Sequence, residues 1–154
     1  MAVSFRGIVF QTIALVLLVY SVTTAEPKFS VGRIAPGMPM SAVFEGEPRL
    51  LREPKQAFVD YSYDITMVYI APGKELTVFT LNDVVTTVSG QSISIEGSEV
   101  LRLGMSFSEA KTAVNPSRVR RRGNQSYFYV DGYTIRLDFE MNSVTRFFLS
   151  KESD

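Results

Sequence analysis

The chain has no cysteine and no histidine in its 154 residues. Without cysteine there are no disulfides and no thiol nucleophile, so packing alone must hold the fold. Without histidine as well, the commonest general base and the commonest transition-metal ligands are gone together. Any catalysis would rest on carboxylates, hydroxyls or lysine. No phosphate-cradling glycine loop or nucleophile elbow appears. The sequence therefore calls for no cofactor and no metal, and the expectation is a protein that is not an enzyme.

A strong net charge is also missing. Lys and Arg together number 16, as do Asp and Glu, which offers no general attraction to nucleic acid. Nor is there an apolar run of the ~20 residues that a bilayer-spanning helix needs. The longest, Gly7 to Tyr20, follows the lone Arg6 and precedes Ser21-Val22-Thr23-Thr24-Ala25. A short apolar core ending in small residues is the pattern of a secretory signal peptide. Residues 1–25 are expected to be that leader, cut after Ala25, leaving no stable membrane span. A periplasmic or secreted location follows, and the missing cysteines lean toward the bacterial periplasm or medium.

The rest of the chain is long enough for a real core, and 45% of the full sequence is hydrophobic. Its charge is uneven: residues 26–99 hold 6 basic and 10 acidic side chains (net −4), and residues 100–154 hold 9 and 6 (net +3). This division coincides with an internal repeat. GMPMSAVFEGEP at 37–48 answers GMSFSEAKTAVNP at 104–116, and FTLNDV at 79–84 answers FEMNSV at 139–144. Between these anchors Tyr61-Ser62-Tyr63 faces Tyr127-Phe128-Tyr129.

Each unit opens with Gly-Met and a helix. Ser106 with Glu109 three residues later forms a capping-box pattern, and Phe107, Ala110 and Val114 recur at helical spacing. The counterpart at Met40 to Phe44 is cut short by Gly46 and Pro48. The remainder alternates with period two. Ile135, Leu137, Phe139 and Met141 point one way and Thr134, Arg136, Asp138 and Glu140 the other. Asn82-Asp83 and Asn142-Ser143 are expected hairpin turns. Further strands are expected at Ala57 to Tyr63, Thr66 to Ile70, Ser92 to Ile95, Ser126 to Val130 and Val144 to Leu149. The fold class is α+β: two diverged copies, 26–99 and 100–154, of a short helix followed by an antiparallel sheet, forming one continuous or two abutting sheets.

A Gly-Met pair opening a short helix, a proline, an aromatic strand and a closing hairpin resembles the module of the SmpA/OmlA outer-membrane assembly lipoproteins. The tandem arrangement, over residues 34 to 149, resembles the β-lactamase inhibitor protein, whose two copies form a concave sheet that grips an enzyme. The chain lacks the lipobox cysteine of the first and the disulfide cysteines of the second, so no β-lactamase target is carried over.

Two surfaces stand out as candidates for contact with another protein. Arg118, Arg120, Arg121 and Arg122 form the densest charge run, in a loop or strand edge, and arginine makes bidentate bonds to carboxylates. Tyr61 with Tyr63, and Tyr127 with Tyr129, lie at alternate positions, so each pair shares a face of its strand. If that face is outward the rings form a platform; if inward they are core. Aligning the repeats sets Arg136 and Asp138 against Leu76 and Val78, which implies that the outer face of the first copy turned apolar, either covered by the other half or by the segment from Val85 to Ile95, or exposed as a patch that marks a partner site. Asp60 with Asp64 and Asp138 with Glu140 are the close acid pairs. The leading functional expectation is an exported, non-catalytic protein-binding module, an inhibitor or immunity-type factor. The alternatives are a cell-envelope assembly or scaffold factor and a carboxylate-based hydrolase.

Overall fold

A computed structural model describes residues 27–59 and 65–152. In chain order the elements are β1 (Phe29–Ser30), α1 (Met40–Gly46), β2 (Gln56–Val59), β3 (Ile65–Ile70), β4 (Thr77–Leu81), β5 (Val84–Ser89), β6 (Ser92–Ile95) and β7 (Ser98–Arg102). Then come α2 (Phe107–Val114), β8 (Arg118–Arg122), β9 (Gln125–Val130), β10 (Tyr133–Glu140) and β11 (Ser143–Lys151). The fold is α+β. One eight-stranded sheet runs β2-β3-β4-β5-β11-β10-β9-β8, and β1-β6-β7 make a second, three-stranded sheet. The halves of the large sheet meet where β5 and β11 pair antiparallel, Leu149 opposite Val88. Among the described residues no helix is long and apolar enough to cross a membrane.

The two helices form for different reasons. In α2 the Ser106 hydroxyl accepts the Glu109 N–H at 3.3 Å, and the Glu109 carboxylate accepts the Ser106 N–H at 2.8 Å. Two of the donors that a helix start leaves unpaired are thus satisfied locally. Asn115, left-handed at φ 50°, closes the helix. No side chain caps α1, which begins after Pro39. Its first N–H, at Met40, is bonded instead to the Asp83 carbonyl at 2.9 Å, so tertiary contact holds it in place.

The Gly-Met pair has a local physical role in both halves. Gly37 N–H donates to the Val85 carbonyl and Val85 N–H to the Met38 carbonyl, at 2.7 and 2.9 Å. Gly104, Val144 and Met105 repeat this exchange at 2.8 and 2.8 Å. Each methionine sulfur accepts an N–H from three residues back, Ala35 to Met38 at 3.2 Å and Arg102 to Met105 at 3.3 Å. The glycines have φ of 95° and 88°, a region that a Cβ disfavours.

The hairpins β4–β5 and β10–β11 also correspond in geometry. Asn82-Asp83 and Met141-Asn142 fill their turns with all four φ positive, as a type I′ turn requires. Just beyond each turn the register slips by one residue. The hydroxyls of Thr86 and Thr145 bond across the slip to the carbonyls of Phe79 and Asp138, both at 3.2 Å.

This geometry corrects two sequence readings. The second turn is Met141-Asn142 and not Asn142-Ser143, because Leu137 pairs with Phe147 and Ile135 with Leu149, all fully buried, and the core fixes the register. The positions matching Arg136 and Asp138 are therefore Thr77 and Phe79. Leu76 and Val78 are buried in the core cluster, so they are no sign of an apolar outer face.

That core lies on one face of the large sheet. Val78, Val88, Leu137 and Phe147 meet Val43 of α1, Ala110 and Val114 of α2, and Phe29, Ile93 and Leu101 of the small sheet. Both helices and the small sheet thus cover the same side. Among the described residues the opposite face contributes nothing to this cluster.

Candidate partner-binding face

β8 pairs with β9 with Arg118 opposite Tyr129, Arg120 opposite Tyr127 and Arg122 opposite Gln125. Directly paired residues share a sheet face and alternate residues share it along a strand. Arg118, Arg120, Arg122, Tyr127 and Tyr129 therefore stand together on the face away from the core. Arg121 points to the core side, where its guanidinium lies 4.7 Å from the centre of the Phe107 ring. The arginine run is an edge strand, and its four cations divide three to one between the faces. Tyr61 and Tyr63 lie outside the described residues, as do Asp60 and Asp64.

What decides the tyrosine face is the competition for the core within β9. Phe128 is completely buried, with Ser126 and Val130 beside it on the same face. This leaves Tyr127 and Tyr129 outward and half-buried among their neighbours. The Arg118 guanidinium stacks on the Tyr129 ring at 3.9 Å, a cation–π contact. Tyr127 donates its hydroxyl proton to Gln125 Oε1 at 2.9 Å. Arg120, Arg122, Tyr127 and Tyr129 line a depression of about 190 Å³.

The face continues inward along the sheet through residues that the sequence reading did not place in the site. Tyr127 pairs with Arg136 and Arg136 with Phe148; Tyr129 pairs with Thr134 and Thr134 with Ser150. Arg136 lies 3.7 Å from the Phe148 ring centre and forms an ion pair with Asp138 at 3.2 Å. Nε of Arg136 and Oδ1 of Asp138 are shut off from solvent and meet outside hydrogen-bond geometry, while Nη2 reaches Oδ2 at 3.4 Å. Of the acid pair, Asp138 is thus engaged and Glu140 is exposed. An outward phenylalanine on a period-two strand, Phe148, is the sequence signal that marks this extension.

No described carboxylate neutralises the charges nearest the edge. Among the described residues Arg118, Arg120 and Arg122 form no ion pair. They are exposed and carry planar forks that suit carboxylates, next to ring faces that offer contact area. A larger hollow, about 460 Å³, lies where the described chain begins, at Pro27, Ser30, Gly32, Arg33 and Gly97. Among the described residues Arg33 is the one charged group lining it, against two arginines beside two tyrosines in the smaller depression.

Comparison of the chain with protein-family models, curated proteins and solved structures finds no match.

Proposed function

We propose that the chain is an exported, non-catalytic protein-binding module, periplasmic or secreted, that covers part of a partner's surface as an inhibitor or immunity-type factor does. The observation that carries this reading is the set of three arginines on one edge strand, without an ion pair among the described residues, in register with two tyrosines on the sheet face opposite the helices. Arginine and tyrosine, with tryptophan, are enriched among the residues that dominate binding energy in protein interfaces. The leader pattern in residues 1–25 supports export. A carboxylate hydrolase is less well supported, because Asp138 is committed to Arg136.

We further infer that residues 26–99 and 100–154 are diverged copies of one unit. The matched Gly-Met exchanges, methionine sulfur contacts, type I′ turns and threonine-bridged slips support duplication. They also accord with the resemblance to the tandem inhibitor.

The test is affinity capture from native envelope and medium with the purified protein, alongside Arg118/Arg120/Arg122→Gln and Tyr127/Tyr129→Ala variants of unchanged thermal stability. The reading predicts one protein captured by the parent and lost by both variants. A partner captured equally by all three places binding elsewhere and removes this face. Recovery of the partner only with outer-membrane complexes would favour an envelope assembly factor.

A further inference from the structure

β8 ends the large sheet. β9 occupies one of its edges, and among the described residues no backbone hydrogen bond reaches the other. An open edge is a template for another strand, and proteins usually blunt it with a bulge, a proline or a charge. β8 has no proline and pairs with β9 over all five residues without a slip. Its backbone is regular, and only charge restricts what can add to it.

That charge is periodic. Arg118, Arg120 and Arg122 stand about 6.7 Å apart along the strand, and a strand laid beside β8 repeats with the same spacing. Its alternate side chains would fall opposite the three guanidiniums. Like charges directly opposite destabilise a strand pair. Antiparallel pairing of β8 with β8 of a second copy sets arginine against arginine, which disfavours that occupant. Carboxylates at the same spacing reverse the sign, and each guanidinium fork matches a carboxylate in a bidentate pair.

We propose that the open edge of β8 takes up, by strand addition, an extended segment of the partner protein that carries Asp or Glu at alternate positions. Its backbone bonds to β8, and its carboxylates meet Arg118, Arg120 and Arg122. This deepens the protein-binding reading, on which it rests, by naming the chemistry of the partner. Main-chain bonds supply affinity and the alternating charges supply register, as in other strand-addition complexes.

The test is an NMR titration of the purified protein with synthetic peptides of about seven residues. One alternates Glu with Thr, one has the same composition with the glutamates contiguous, and one repeats the alternating sequence with alternate backbone amides methylated. The proposal predicts that the alternating peptide shifts the amides of residues 118–122 and slows their hydrogen exchange. The other two should bind roughly tenfold more weakly or worse. Methylating the peptide requires no change to the protein, so a folding defect cannot produce the result. Equal binding by all three peptides, equal binding by inorganic polyphosphate, or no binding at all overturns strand addition. If the captured partner depends on the arginines and tyrosines but the alternating peptide does not compete with it, the strand-addition proposal fails while the protein-binding reading stands.

Discussion

Met141 sits in the β10–β11 turn with φ of 47° and a side chain wholly in solvent. The corresponding position in β4–β5 is Asn82, a residue that tolerates the left-handed region far better. Met141→Asn is therefore expected to stabilise the protein by about 1 kcal/mol, read as a higher urea midpoint at unchanged slope. At the start of α2, hydrogen bonds from the Ser106 N–H and then its hydroxyl hold the Glu109 carboxyl below its usual pKa. A depressed folded value means that this contribution is present above the unfolded pKa and is lost as pH falls through the folded one. Glu109→Gln should thus be less stable than the parent near neutrality and equal to it in acid, as pH-dependent unfolding would show. Ser106→Ala removes the cap itself and is expected to cost about 1 kcal/mol.

At the scale of elements, legibility followed how local each determinant was. α2 could be read because its cap, periodicity and stop all lie within its own residues. α1 was readable only in part, since its first bond comes from Asp83, far along the chain. The second turn was displaced by one residue because the Asn in MNS drew the reading, whereas burial of Phe147 and Leu149 sets the register. The small sheet was missed as a sheet: β1 is two residues long and pairs with β6 across more than sixty positions. β8 has four arginines in five residues and shows no apolar alternation, so only pairing with β9 makes it a strand. The tyrosine spacing was legible, but its face was not until Phe128 took the core position. The slips make a matched prediction. Thr86→Val and Thr145→Val each lose one hydroxyl bond to a carbonyl and should each cost about 0.5–1 kcal/mol. Similar values in equilibrium unfolding would fit equivalent positions in two copies of one unit.

For the molecule as a whole, one face of the large sheet holds the core, and the proposed function assigns the opposite face to a partner. Phe128→Ala should cost about 3–5 kcal/mol. Tyr127→Ala and Tyr129→Ala, one residue to either side, should leave the unfolding midpoint nearly unchanged while abolishing capture of the partner. Urea unfolding and capture measured on the same preparations would check both. The measurement that tests the central claim most directly is site-specific photocrosslinking in the native cell, with the reactive side chain placed at Arg120, at Tyr129 and, as a control, at Lys111 on the exposed side of α2. The account predicts one and the same protein joined to positions 120 and 129 and none to 111. Adducts at 111 alone, or no adduct at either position on the arginine–tyrosine face, would contradict it.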